Sequence, residues 1–124
     1  MSSSQQSTNQ IKDTLLWQKS MDLVISIQDL DEFLSGDLEG ERLKMEELAM
    51  QIPYYIEEGY MQKNPADIIR NLTFAKTAKE DITNIIKKLK KNSLILDENI
   101  LPTESLLTNV EIMLDSYLKK INNR

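Results

Sequence analysis

Residues 64–91 read NPADIIRNLTFAKTAKEDITNIIKKLKK, and this stretch decides the fold class. Asn64 is a favourable N-cap, Pro65 suits the first position of a helix, and Asp67 lies where a carboxylate stabilises the positive helix end. Steps of three and four residues then separate the apolar side chains of Ile68, Leu72, Ala75, Ala78, Ile82, Ile85, Ile86 and Leu89. This repeat predicts a long amphipathic α-helix with one buried face.

Two segments before this helix show the same spacing. The first has its stripe at Leu16, Ser20, Leu23, Ile27, Leu30 and Leu34, and the second at Met45, Leu48, Ala49, Ile52, Ile56 and Tyr60. A stop at Gly36 and a turn over residues 37–40 are expected between them. Pro53 removes a backbone hydrogen bond inside the second stripe, but the stripe keeps its phase, so we expect one kinked helix rather than two. Gly59 suits either a close backbone approach or helix termination.

A fourth helix is expected near the end of the chain. The pattern predicts a loop over residues 97–101 and a helix that begins at Pro102, with its stripe at Leu106, Leu107, Val110, Met113, Leu114, Tyr117, Leu118 and Ile121. Four amphipathic helices with short connections predict an all-α, antiparallel up-down-up-down four-helix bundle, with the second helix kinked at Pro53. We expect residues 11–124 to form this single domain and residues 1–10 to be a disordered tail.

The composition argues against most enzyme classes. The 124 residues include no histidine and no cysteine, which excludes imidazole acid/base chemistry, thiolate nucleophiles and thiolate metal sites. The glutamate pairs at 46–47 and 57–58 do not converge, because adjacent helical side chains point about 100° apart. We therefore predict a protein that is not an enzyme and binds no cofactor or metal. No apolar run approaches the roughly 20 residues of a membrane span, and no targeting signal is visible, so we expect a cytoplasmic protein without a membrane partner.

The net charge of −5 hides a basic third helix. Residues 66–92 carry seven basic and three acidic side chains, and Lys76, Lys79, Lys87 and Lys90 fall within a band about 80° wide. The band is typical of a solvated face whose cations complement the helix C-terminus. It also suits nucleic-acid phosphates or an acidic protein partner. Without arginine or interleaved aromatic residues, it favours the protein partner over nucleic acid.

Four residues are candidates for an oligomer or partner interface: Trp17, Tyr54, Tyr55 and Met61. Tyr54 and Tyr55 are adjacent in a helix, so they cannot both face the same core. Tyrosine is enriched at protein interfaces because it offers a large contact area and a polar tip. The pair is equally consistent with an ordinary half-exposed position.

Several short motifs have a familiar order. Residues 17–19 read WQK, residues 21–23 read MDL, and residues 52–60 read IPYYIEEGY. Together with residues 68–72 and 74–76 of the third helix, they resemble a bacterial four-helix-bundle family, the proteins of 23S ribosomal RNA intervening sequences. That family is related to the accessory variability protein of diversity-generating retroelements.

The resemblance implies a four-helix bundle with a proline inside the second helix, and a homo-oligomer that forms a closed ring. Its retroelement relatives imply nucleic-acid binding. This chain departs from the family pattern in charge, with Glu46 and Glu47 in place of an Arg-rich turn and residues 61–62, MQ, in place of Gly-Arg.

These observations lead to two hypotheses of function. The first is a non-enzymatic bundle that self-associates and acts as an interaction scaffold for a protein partner. The alternative is a nucleic-acid-binding accessory protein that uses the four lysines of the third helix.

Overall fold

The computed structural model describes residues 10–12 and 14–123. Its four long helices are α1 (Leu15–Gln28), α2 (Glu39–Tyr60), α3 (Pro65–Lys91) and α4 (Asp97–Asn122). Two short 3₁₀ helices, Asp29–Glu32 and Gly36–Leu38, join α1 to α2. All regular structure in the described part of the chain is helical, which confirms the all-α prediction. The predicted disordered tail lies outside the described residues, apart from the exposed and helical Gln10.

The four helices form the predicted bundle. Each helix packs in antiparallel orientation against its neighbours in sequence, and α4 packs back against α1. Their apolar stripes meet in one core, where Leu23, Ile52, Ile82 and Leu114 are each fully buried, one from each helix. The antiparallel up-down-up-down topology is therefore confirmed.

The helix α2 runs through Pro53 without a break, so the second segment is one helix, as expected from its phase. Gly59 lies within the last turn of this helix and is buried against α3. A Cβ atom at this position would lie 3.3 Å from the Cβ atom of Asn71 and 3.5 Å from the carbonyl oxygen of Ile68. The glycine therefore serves the close approach of two helices rather than helix termination.

The two ends of α3 follow their local sequence. The side-chain oxygen of Asn64 accepts a hydrogen bond of 2.9 Å from the backbone N–H of Ala66, and Pro65 occupies the first helical position. The helix ends at Lys91, with Asn92 as its C-cap. Both ends agree with the prediction, because capping depends only on residues close in sequence.

The start of α4 differs from the prediction. The helix begins at Asp97, so the expected loop over residues 97–101 is helical and Pro102 lies inside the helix. Acidic side chains at Asp97 and Glu98 stabilise the first turn, and Ile100 is fully buried in the core. Pro102 is exposed and near the helix start, so it removes a single backbone hydrogen bond there.

The link between α1 and α2 also differs from the simple turn that was expected. The helix α1 ends at Gln28, and Leu30 and Leu34 reach the core from the 3₁₀ segment and the loop after it. Gly36 adopts a positive φ of 62° and begins a second 3₁₀ turn, whereas Gly40 already belongs to α2.

Among the described residues, no helix combines the length and apolarity needed to cross a membrane.

Candidate interaction surfaces

The predicted lysine band lies along the line of contact between α3 and α4. Four ion pairs cross this contact: Lys76 Nζ to Asp115 Oδ1 at 2.8 Å, Lys79 Nζ to Glu111 Oε2 at 3.0 Å, and Lys90 Nζ both to Glu104 Oε2 at 3.1 Å and to Asp97 Oδ1 at 3.8 Å. The acidic row of α4 therefore faces the basic band of α3. The spacing of the acidic residues, seven, seven and then four, is a sequence signal for this row.

The lysines of the band differ in their surroundings. The hydrogen bond to Asp115 raises the pKa of Lys76, and the hydrogen bond to Glu104 raises the pKa of Lys90. The side chain of Lys79 is only 8% exposed, so its ammonium group depends on Glu111 for compensation. Lys87 is exposed, and no ion pair of its side chain is found within the described ranges.

Trp17 connects α1 to α2. Its indole Nε1–H donates a hydrogen bond of 2.8 Å to Glu57 Oε1, and the ammonium group of Lys12 lies 5.9 Å from the ring centroid. Trp17 is half-buried and packs against the core. Trp17 therefore joins two helices of its own bundle.

The two adjacent tyrosines have different roles. The half-buried Tyr55 points toward α3, where its ring centroid lies 5.2 Å from that of Phe74. Tyr54 is exposed, and its ring meets the edge of Tyr55 at 5.1 Å between centroids. Phe74 is also exposed, so a small aromatic cluster reaches the surface between α2 and α3.

Two candidate residues, Tyr54 and Met61, belong to a larger apolar row that runs along α2 and ends at Met61, the C-cap of this helix. At 100° per residue, the row occupies an arc of about 40° around the helix axis, on the side opposite the buried Ile52. Its members are Leu43, Met50, Tyr54 and Met61, which are 51%, 56%, 55% and 41% exposed. We call these four residues the α2 stripe. Their spacing of seven, four and seven residues is the pattern of a second apolar face.

The solvent-facing side of α3 has the opposite character. It carries the exposed polar side chains of Thr73, Thr77, Glu80, Asn84 and Lys91. The outer side of α3 therefore differs from that of α2, where the exposed side chains in the row are apolar. The helix α2 has apolar side chains on two opposite sides, which is typical of a helix that packs against a neighbour on each side.

Glutamates border the α2 stripe on both flanks. On the flank toward α1, Glu57 is held by Trp17, and Glu46 accepts a hydrogen bond of 3.1 Å from Gln28 and pairs with Arg42 at 3.1 Å. On the flank toward α3 lie the exposed Glu47 and the half-buried Glu58. These two carboxylates extend from α2 on the same side as the aromatic cluster.

In residues 10–12 and 14–123, no group of three or more acidic, histidine or cysteine side chains is arranged to hold a metal ion. Comparison with the models of known protein families and with curated proteins finds no match.

Proposed function

We propose that this protein is a non-enzymatic, cytoplasmic four-helix bundle that self-associates and acts as an interaction scaffold, with room for a further protein partner. The α2 stripe is the observation that carries the proposal. It exposes four large apolar side chains in one row, on the side of α2 that the core leaves uncovered. Exposed apolar rows that include tyrosine are typical of protein interfaces.

Membership in the family of 23S ribosomal RNA intervening-sequence proteins is part of this proposal. The order of the four helices and the uninterrupted α2 around Pro53 support it. The neighbouring genes distinguish the intervening-sequence proteins from their retroelement relatives. A reverse transcriptase gene beside this one would favour the retroelement relatives, and a position inside a ribosomal RNA gene would favour the intervening-sequence proteins.

Replacing Met50 and Tyr54 together with serine is expected to lower the mass of the protein in solution while its helicity stays unchanged. Both side chains are exposed, so the fold loses little, whereas the interface loses the centre of its apolar row. Light scattering gives the mass and circular dichroism gives the helicity. Ile25→Ser is the matched control, because Ile25 is similarly exposed but lies on α1. A wild-type protein of monomer mass, or a double variant of unchanged mass, would contradict the proposal.

The alternative proposal is a nucleic-acid-binding accessory protein that uses Lys76, Lys79, Lys87 and Lys90. The ion pairs with α4 weigh against it, because phosphates would have to compete with four carboxylates of the same chain. Lys87 is the member of the band that stays open to a phosphate.

Fluorescence anisotropy with labelled single-stranded RNA and duplex DNA is therefore expected to detect no binding that weakens between roughly 50 and 200 mM salt. The variant Lys87→Glu should behave like the wild type. An affinity that falls steeply with salt, and falls further in Lys87→Glu, would favour the nucleic-acid function over the scaffold.

A further inference from the structure

We propose that two copies of this chain pair through their α2 stripes, with the two helices antiparallel and related by a two-fold axis that passes beside Ile52. This inference rests on the proposed self-association. It adds the contacting surface, the orientation of the two copies and the register of their helices.

The spacing of the α2 stripe is symmetric about Ile52. Leu43 precedes this residue by nine positions and Met61 follows it by nine, while Met50 and Tyr54 lie two positions before and after it. At a rise of 1.5 Å per residue, the outer pair lies about 14 Å and the inner pair about 3 Å from the centre. Antiparallel pairing therefore sets Leu43 level with Met61 of the second copy, and Met50 level with its Tyr54. The contact is isologous and closes at two copies, so it departs from the closed ring that the resemblance implies.

The flanks of the stripe decide between antiparallel and parallel pairing. An antiparallel two-fold axis brings the α3 flanks of both copies together, whereas parallel pairing sets an α3 flank against an α1 flank. Besides Glu47 and Glu58, the α3 flank carries aromatic side chains, Tyr55 and the exposed Phe74, within about a turn of the centre of the stripe. The α1 flank is polar, with Glu57 engaged by Trp17. Antiparallel pairing thus joins aromatic surface to aromatic surface, and it opposes the two helix dipoles.

The hydrogen bonds of the α1 flank also prepare the surface for contact. Trp17 draws the carboxylate of Glu57 toward α1, and Gln28 does the same for Glu46, which also pairs with Arg42 one turn earlier on α2. These contacts keep two charged groups from folding over the apolar row. In this pairing Trp17 acts as a positioning residue rather than as a contact.

The glutamates of the α3 flank give the pairing a distinctive dependence on salt. Glu47 of one copy lies about level with Glu58 of the second copy, on the same flank, so the two carboxylates repel each other across the contact. Salt screens this repulsion. Self-association should therefore become tighter as salt rises, the reverse of an association held by opposite charges.

The absence of cysteine from the sequence allows a direct test of the register. A disulfide needs Cα atoms closer than about 7 Å, and the two Leu43 positions of an antiparallel pair lie about 27 Å apart along the helix axes. A mixture of Leu43→Cys and Met61→Cys proteins should give a covalent heterodimer under mild oxidation. Leu43→Cys alone should give none.

The outcomes separate the register from self-association itself. Efficient cross-linking of Leu43→Cys alone, or a wild-type assembly above two copies by light scattering, would overturn the antiparallel pair but leave self-association intact. An assembly that forms no disulfide, either in the mixture of the two cysteine variants or with Leu43→Cys alone, would also overturn the antiparallel pair and leave self-association intact. A monomer at every salt concentration and at high protein concentration would overturn both proposals.

A charge reversal provides a second readout. Glu47→Lys replaces the repulsion with an attraction to Glu58 of the second copy, so the dimer should tighten several-fold at low salt. Glu80→Lys makes the same change of charge on the polar outer side of α3 and should leave the dissociation constant unchanged. Equal effects of the two variants in sedimentation equilibrium would contradict the proposed contact.

Discussion

Gly59→Val is expected to lower the free energy of unfolding by about 2 to 3 kcal/mol, the usual cost of adding volume where two elements are already in close contact. Gly59 is buried where α2 approaches α3, and even a Cβ atom would lie 3.3 Å from the Cβ atom of Asn71. The two methyl groups of valine extend further, toward the backbone at Ile68 and the side chain of Leu72. The helices would have to separate to accept them.

Urea unfolding followed by circular dichroism measures this effect, and Gly59→Ala is its matched control. Alanine adds the Cβ atom alone, and its better helix propensity, worth up to about 1 kcal/mol, offsets the tight contact. We expect the alanine variant to stay within about 1 kcal/mol of the wild type. A valine variant as stable as the alanine variant would show that the contact between α2 and α3 is looser than the structure indicates.

Glu111→Ala is expected to destabilise the protein by about 2 kcal/mol. It removes the carboxylate 3.0 Å from the Lys79 ammonium group and leaves that cation nearly buried without a partner. A fully buried pair broken in this way costs about 3 to 5 kcal/mol. The smaller figure applies here because the side chain of Glu111 is 41% exposed, so water reaches one side of the pair.

The control for this prediction is Asp115→Ala, which breaks the more exposed pair with Lys76 and should cost less than about 1 kcal/mol. The double variant Lys79→Met with Glu111→Ala should regain most of the stability, because it leaves no unpaired charge. Thermal or urea unfolding compares the three proteins. If Glu111→Ala costs no more than Asp115→Ala, burial of Lys79 contributes nothing to the strength of its ion pair.

The sequence predicts the elements whose cause is local. Asn64 and Pro65 place the start of α3 because a cap needs only its own neighbours in the chain. The start of α4 was predicted wrongly, because Pro102 is as compatible with a helix start as with the early interior of a helix. Burial of Ile100 decides between the two, and that burial depends on the other three helices.

The same distinction between local causes and causes that depend on the whole fold applies to the candidate surfaces. The lysine band of α3 is visible in the sequence, but its pairing with Asp115 and Glu111 depends on the register between α3 and α4. Tyr54 and Met61 were predicted as interface residues from their residue types. Leu43 and Met50 were missed, because isolated exposed apolar residues are common and only the fold shows that these share one uncovered side.

Trp17 is an intrinsic fluorescence probe of this bundle, because its hydrogen bond to Glu57 places the indole at the contact between α1 and α2. Trp17 is the only tryptophan of the chain, so fluorescence excited selectively at tryptophan reports on the contact between α1 and α2. Circular dichroism reports on all four helices, and the substitutions at Gly59 and Glu111 act at contacts that exclude α1. Coincident loss of the two signals in those variants would mean that damage on one side of the bundle reaches the other, the signature of a single cooperative unit.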